Sequence, residues 1–162
     1  ARSAVQSWIF NHWLQHRVTS GTLTTALKGD LLKRRDTGGL FVCEDPEQDT
    51  ERLQKGELIV TGPMMGSRPS RSTDVAAEVE AELVSDLGLD LSVFKKMGRA
   101  ARGTRRPAVA WPFDPDCSRT NEGLDVKFSL DSGVYATVLL ELICGSPLAS
   151  GPGEPPVEEP RS

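Results

Sequence analysis

The sequence predicts an α+β fold, a mixture of helices and short strands, and two observations support this class. Stretches without Gly or Pro carry apolar residues at every third or fourth position, which is the period of helices that bury one face. Shorter apolar stretches lie between turn-forming residues, as strands do. The chain has 162 residues, 38% of them hydrophobic and 26% charged. This composition is ordinary for one globular domain, with room for at most a small second one.

Residues 2–18 are predicted to form a central helix. They contain neither Gly nor Pro, and two adjacent apolar stripes at spacings of four give them a wide buried face. The stripes consist of Val5, Ile9 and Trp13, and of Phe10, Leu14 and Val18. Asn11 lies on this mostly apolar helix and is expected to be a buried, hydrogen-bonded amide.

Short strands are predicted where apolar residues are bounded by turns or alternate with polar ones. Those strands are residues 31–32 and 40–42, which form a hairpin around a Gly-Gly turn, and residues 58–60, 109–111 and 126–130. Residues 61–71 contain two Gly and two Pro and are predicted to form a loop.

Capping signals predict a second helix. Asp45 followed by Pro46 is typical of a helix N-terminus, Gln48 stands where a capping box places Glu or Gln, and Gly56 ends the helix. Shorter helices are predicted at residues 91–97 and 135–144, and residues 145–162, which are rich in Pro and Glu, are expected to be disordered.

A third long helix is predicted to begin after Ser72 or Thr73 and to end at Gly88. Its apolar stripe repeats every four residues and consists of Val75, Val79, Leu83 and Leu87. Glu80 and Glu82 lie two positions apart, point in different directions and are expected to face solvent.

The net charge of −4 is unevenly distributed along the chain. The balance is +4 over residues 1–43, −8 over 44–90, +5 over 91–120 and −5 over 121–162. A block without acidic residues contains Lys95, Lys96, Arg99, Arg102, Arg105 and Arg106. Such a block is suited to bind phosphates, and a solvated loop without a partner is the alternative interpretation.

The sequence lacks the motifs of several common kinds of functional site. His12 and His16 have the spacing of a metal pair on a helix, but Trp13 stands where the zincin motif needs Glu, so no metal site is expected. The sequence contains neither a GxGxxG loop nor a GxSxG elbow. Its three cysteines, Cys43, Cys117 and Cys144, form no CxxC motif and are expected to be packing residues.

Five segments of the chain carry short motifs. Residues 3–17 read S-x-x-Q-S-x-x-F-N-x-x-L-x-x-R, residues 29–30 read GD, and residues 61–66 read TGP-x-x-G. Residues 105–107 read RRP, and residues 128–138 read F-S-L-x-x-G-x-Y-A-T-V. In this order the segments resemble the tRNA pseudouridine synthase D (TruD) family. Each motif is weak alone, and their shared order makes the resemblance specific.

The resemblance implies an isomerase that converts a uridine of RNA, with tRNA expected, to pseudouridine. A carboxylate breaks the glycosidic bond, the uracil rotates and its C5 is joined to the ribose, after the base has left its stack. The chemistry implies no metal and no organic cofactor. The family's catalytic Asp stands in a G-x-K-D-x-x-A motif, and this chain contains no Lys-Asp pair. We therefore expect the chain to be inactive alone, with a catalytic half, located before residue 1 or on another chain, as its partner.

The resemblance also implies domains and site residues. Residues 1–106 correspond to an inserted domain, residues 107–144 to a segment that returns to the catalytic domain, and residues 145–162 to the tail. The residues expected at the edge of the active-site cleft are Gly133, Tyr135 and Thr137. Those expected to contact RNA phosphates are Lys95, Lys96, Arg102, Arg105 and Arg106. For Tyr135, a core aromatic is the alternative, and Gln6, Phe10 and Asn11 are expected to hold the first helix in place.

Two other functions stay open from the sequence. One is a non-catalytic RNA-binding module, and the other is a structural subunit of a ribonucleoprotein that uses residues 44–90 for protein contacts. An intracellular location, in the cytoplasm, an organelle or the nucleus, fits the few unpaired cysteines. No apolar run of about 18 residues is present, so no membrane span is expected.

Overall fold

The computed structural model describes residues 2–66, 71–89, 103–130, 134 and 136–145. The chain divides into two compact units, Ala1–Val109 and Ala110–Ser162. The division falls a few residues after the domain boundary expected between residues 106 and 107, and the identity of the two parts as an inserted domain and a return segment stays a prediction. Helices and antiparallel strands are both present, as the α+β prediction requires.

The first unit contains a four-stranded antiparallel sheet. Its strands, in spatial order, are β2 (Leu40–Val42), β1 (Leu31–Arg34), β3 (Leu58–Met64) and β4 (Thr104–Pro107). The predicted hairpin of β1 and β2 is confirmed, with Leu32 opposite Phe41. On its other side, Leu32 lies opposite Val60 of β3. The strand β3 is buried along its whole length and forms the centre of the sheet.

The predicted loop at residues 61–71 is wrong for its first part, because β3 continues through Gly62 and Pro63 to Met64. The strand β1 pairs with β3 only from Leu58 to Val60, so Pro63 has a neighbouring strand, β4, on one side only. A proline is tolerated at such a position because the strand lacks a hydrogen-bonding neighbour on its open side.

The helix α1 (Arg2–Thr19) packs against β3 and confirms the first predicted helix. Its buried face is narrower than predicted, because Val5 and Val18 of the two predicted stripes are exposed. The main core consists of Phe10, Trp13, Ala26, Leu32, Cys43, Leu53, Leu58, Val60 and Met64. A second cluster of Ile9, Met65 and Val84 joins α1 to the third helix.

The helix α2 (Pro46–Gln54) begins and ends where its capping signals predict. The Asp45 carboxylate accepts a hydrogen bond from the backbone N–H of Gln48 at 3.1 Å, which satisfies one of the free donors of the first turn. Gly56 follows the helix with φ of 72°, a conformation that glycine adopts without strain.

The helix α3 (Asp74–Asp86) is confirmed, but its buried face differs from the prediction. Ala76, Glu80 and Val84 are buried, whereas Val75 is exposed. The solvent-facing prediction for Glu80 is therefore wrong. The physical reason is a basic partner on β4, which local periodicity does not reveal.

The second unit contains a two-stranded antiparallel hairpin and a short helix. These elements are β5 (Phe113–Thr120), β6 (Gly123–Ser129) and α4 (Ala136–Cys144). The strand predicted at 126–130 and the helix predicted at 135–144 are confirmed within one to three residues, whereas the strand predicted at 109–111 is wrong. The predicted helix at 91–97 and all of the predicted tail except Gly145 lie outside the described residues.

Candidate functional site

Four of the five motif segments meet inside the first unit. Motif residues of α1 lie against β3, which carries the TGP motif, and β3 pairs with β4, which carries the RRP motif. The GD motif immediately precedes β1, the other neighbour of β3. The fifth segment belongs to the second unit and is described only in part.

Arg105, the first arginine of the RRP motif, is buried with 1% of its side chain exposed. Its Nη2 donates to Glu80 Oε1 at 2.8 Å and its Nη1 to Glu80 Oε2 at 3.2 Å, which is a bidentate pair. Its Nε donates to the Thr61 hydroxyl at 3.2 Å, and its Nη2 also donates to the Thr61 carbonyl. The Thr61 hydroxyl in turn donates to the Leu31 carbonyl at 2.6 Å.

This arrangement gives Arg105 a structural task. Its guanidinium joins β4 to β3 and α3, and each of its nitrogens donates a hydrogen bond inside the protein. Moving it to a phosphate would leave the buried Glu80 carboxylate without its partner, which is costly. The placement therefore argues against the phosphate contact predicted for Arg105.

A second buried ion pair joins two motifs that are distant in sequence. Arg17, which ends the α1 motif, donates from Nη2 to the Asp30 carboxylate of the GD motif. The same carboxylate oxygen accepts from the Leu27 backbone N–H at 2.8 Å. The Arg17 guanidinium also lies 5.4 Å from the centre of the Trp13 ring. These contacts hold the last turns of α1 to the segment that enters β1.

Arg106, the second arginine of the RRP motif, lies on the other face of β4, since successive side chains of a strand alternate. It is opposite Gly62 in the register, and its guanidinium lies 5.2 Å from the centre of the Phe10 ring. The residue is half-buried. Its side chain forms no hydrogen bond or ion pair with the described residues. Arg106 is thus the arginine of this motif that remains able to contact a phosphate.

Gly62 permits the close packing beside Arg106. A Cβ atom at this position would lie 2.3 Å from Trp13 Cε3 and 2.8 Å from Phe10 Cδ2, closer than side chains pack. The glycine of the TGP motif therefore lets both rings of α1 lie directly on the backbone of β3.

The three polar and aromatic residues expected to hold α1 in place have different positions. The Gln6 amide donates to the Met65 carbonyl, and Phe10 belongs to the main core. Asn11 is exposed, so the prediction of a buried amide is wrong. It lies one position beyond Phe10, where the helix has already turned its side chain away from the sheet.

The other predicted site residues are described only in part. Thr137 is exposed near the start of α4. Lys95, Lys96, Arg102, Gly133 and Tyr135 lie outside the described residues, so their predicted roles stay predictions.

His12 and His16 line a cavity of about 320 Å³ together with the Glu82 and Asp86 side chains of α3. The Nδ1 atom of His12 lies 2.9 Å from the Trp8 carbonyl oxygen. Across the described ranges, no three His, Cys, Asp or Glu side chains are placed to hold one metal ion.

The packing role predicted for the cysteines fits only one of them. Cys43 is buried in the main core, whereas Cys117 and Cys144 are exposed in the second unit. Among the residues that the structure describes, no helix has the length and apolar character needed to cross a membrane.

Comparison with known proteins gives consistent matches. The family model "tRNA pseudouridine synthase D (TruD)" matches residues 3–143. The chain is 40% identical over 138 residues to tRNA pseudouridine synthase D of Anaeromyxobacter dehalogenans, covering 85% of this chain and 40% of that protein. It is 34% identical over 137 residues to the Thermus thermophilus protein of the same name, covering 85% and 37%. The chain thus spans about two-fifths of the length of these relatives.

A solved structure has a similar fold. It is a putative tRNA pseudouridine synthase D from Methanosarcina mazei, with a TM-score of 0.63 and 24% sequence identity. The match covers 84% of this chain and 35% of that one. At this identity the likeness supports the fold class and nothing finer.

Proposed function

Because the chain belongs to the tRNA pseudouridine synthase D family, we propose that it forms part of an enzyme that isomerises a uridine of tRNA to pseudouridine. The observation that carries this proposal is the family match over residues 3–143, which includes all five motif segments. In the first unit, buried side chains of these segments contact one another: Arg17 pairs with Asp30, and Arg105 with Thr61.

The proposed contribution of this chain is RNA binding and support of the site rather than the nucleophile. No Lys-Asp pair is present, so the catalytic carboxylate comes from a separate segment. Residues 1–106 act as the inserted domain, and residues 107–144 return to the catalytic domain. Gly133, Tyr135 and Thr137 form the edge of the cleft. The RNA phosphates are contacted by Arg106, together with Lys95, Lys96 and Arg102.

Exposed apolar residues of the second unit support a catalytic partner segment. In α4, Leu142 is 76% exposed and Ile143 is 52% exposed, and Leu124 of β6 is 66% exposed. A two-stranded hairpin is marginally stable by itself, and a helix as rich in apolar residues as α4 is normally buried. Packing of the segment that carries the catalytic Asp against these side chains would bury them and stabilise both the hairpin and α4.

A chimeric enzyme tests the proposal. The region of the Anaeromyxobacter dehalogenans protein that precedes the matched segment is fused to this chain, and tritium release from tRNA labelled with 5-tritiated uridine is measured. We expect release by the chimera and none by this chain alone. The matched control replaces the Asp of the G-x-K-D motif in the chimera by Asn. A folded chimera without activity would refute the proposal, and release by this chain alone would refute the assignment of the nucleophile to another segment.

A non-catalytic RNA-binding module is the second candidate. It is favoured by the excess of seven basic over two acidic residues in the segment 91–120. Such a module would also bind tRNA as the isolated chain but would give an inactive chimera, so the activity of the chimera separates the two candidates.

A further inference from the structure

We infer that the two arginines of the RRP motif have separate tasks: Arg106 contacts an RNA phosphate from a platform made by Phe10 and Gly62, and Arg105 takes no part in binding RNA. The inference rests on the proposed function for the identity of the ligand. It goes beyond that function by assigning the contact to one of two adjacent, chemically identical side chains.

The platform is fixed by contacts between α1 and β3. Phe10 is 5% exposed, and its ring lies so close to the backbone of Gly62 that no larger residue fits there. The neighbouring ring of Trp13 lies 5.7 Å from that of Phe10, centre to centre, and supports it. Arg106 lies opposite Gly62 in the register, and its side chain extends from β4 over the Phe10 ring.

The position of the Arg106 guanidinium over the Phe10 ring suits phosphate recognition. An arginine over an aromatic ring is held by cation–π attraction through the face of its guanidinium, while the N–H donors point outward in the plane. Two of those donors match two phosphate oxygens. Because the ring already restricts the side chain, less rotamer entropy is lost when the phosphate binds.

Arg105 has the opposite environment. Its guanidinium is buried between Glu80 and Thr61 and already donates from all three nitrogens. Its hydrogen bonds hold β4, which is an edge strand, against β3 and α3. The RRP motif in the sequence does not distinguish the two arginines. The structure does, because they lie on opposite faces of β4.

The salt dependence of tRNA binding tests this division, since its slope counts the phosphates that the protein neutralises. Affinities of the full chain for tRNA are measured between about 50 and about 200 mM salt. Arg106→Ala is compared with a double variant (the paired Met variant) that carries Glu80→Met and Arg105→Met. Each variant removes one positive charge from the RRP motif, and the paired Met variant leaves no buried charge unpaired. Phe10→Leu removes the ring and keeps the charge. Thermal melting checks that each variant is folded.

We expect Arg106→Ala to lower the magnitude of the slope of log affinity against log salt concentration by about 0.7 to 0.9. The ratio of wild-type to variant affinity should then fall about threefold between the lowest and the highest salt concentration. The paired Met variant should keep the wild-type slope. Phe10→Leu should weaken binding at every salt concentration without changing the slope, which a purely structural residue in a folded variant would not do.

Three results would overturn the inference. They are an unchanged slope in Arg106→Ala, a slope in the paired Met variant reduced as far as in Arg106→Ala, and absence of tRNA binding by the wild-type chain. None of them is read from the activity of the chimera. Failure of this inference is therefore distinguishable from failure of the proposed function.

Discussion

Glu80 of α3 and Arg105 of β4 form a bidentate ion pair across 25 positions of sequence, with N–O distances of 2.8 and 3.2 Å. Only 11% of the Glu80 side chain and 1% of the Arg105 side chain are exposed. Both charges have been removed from water, so the pair is sensitive to loss of one partner. The pair also joins the acidic helix α3 to β4, the edge strand of the sheet, although the two elements are well separated in the sequence.

Replacing one member of this pair should destabilise the first unit more than replacing both. Arg105→Met leaves the Glu80 carboxylate buried and unpaired, and we expect it to lower the free energy of unfolding by about 3–5 kcal/mol. Adding Glu80→Met should recover most of that loss, because two apolar side chains then pack in the same space. Unfolding in urea measures both values.

The partly exposed pair of Arg52 and Glu57 provides the control, with an N–O distance of 3.4 Å and exposures of 29% and 54%. Glu57→Gln should change stability by about 1 kcal/mol or less, because solvent screens such a pair. Equal losses in the single and paired Met variants would contradict the interpretation that the unpaired charge causes the destabilisation.

Gly62→Ala should destabilise the first unit by about 2–3 kcal/mol, because the added Cβ atom has no space. It would lie 2.3 Å from Trp13, a fully packed side chain that can move only by disturbing the main core. Gly39→Ala is the matched control, since its nearest contact would be 3.5 Å from the Thr37 hydroxyl. The control should stay within about 0.5 kcal/mol of the wild type. Urea unfolding compares the two, and similar losses would mean that the contact with α1 is not the cause.

Local signals in the sequence predicted the elements that local interactions determine. The start of α2 follows from Asp45, which caps a backbone N–H three residues away. The hairpin of β1 and β2 follows from a Gly-Gly turn between apolar residues. The family resemblance could also be recognised from the sequence, because the order of its short motifs along the chain is enough to identify the family.

The errors arose where a distant part of the chain decides the outcome. Glu80 is buried because Arg105 arrives on another strand, and Pro63 is in a strand because β4 pairs on one side only. The strand β5 contains Pro115 and is exposed along its length, so it lacks the alternation that marks a half-buried strand. The proposed division of labour between Arg105 and Arg106 depends in the same way on a distant part of the chain, since the two residues occupy opposite faces of β4.

Gln6 and Asn11 provide a test of two polar residues on the same helix. Gln6→Ala removes the hydrogen bond to the Met65 carbonyl and should cost about 1 kcal/mol. Asn11→Ala removes an exposed side chain and replaces it with a better helix former, so stability should stay within about 0.5 kcal/mol or rise slightly. Chemical denaturation of the two variants measures the difference. A larger loss for Asn11→Ala than for Gln6→Ala would favour the buried amide that the sequence suggested.

The Cys43 thiol should be inert at neutral pH while the other two cysteines react. Burial raises the pKa of Cys43 from 9.0 to about 12, reinforced by a hydrogen bond to Asp49 and by nearby carboxylates. The thiolate is the reactive form, so iodoacetamide at pH 8 should add to Cys117 and Cys144 only. Mass spectrometry of native and denatured chain should show two and three adducts, respectively.

The same shift makes stability depend on alkaline pH. The folded state keeps the Cys43 proton while the unfolded state loses it above pH 9.0, so stability should fall as the pH rises from about 9 towards about 12. One proton corresponds to a slope of at most about 1.4 kcal/mol per pH unit. Cys43→Ala has no titrating thiol at this position. Its free energy of unfolding should therefore decline less steeply than that of the wild type between pH 9 and about pH 10.5. Parallel pH profiles for the wild type and Cys43→Ala would show that the buried thiol does not contribute.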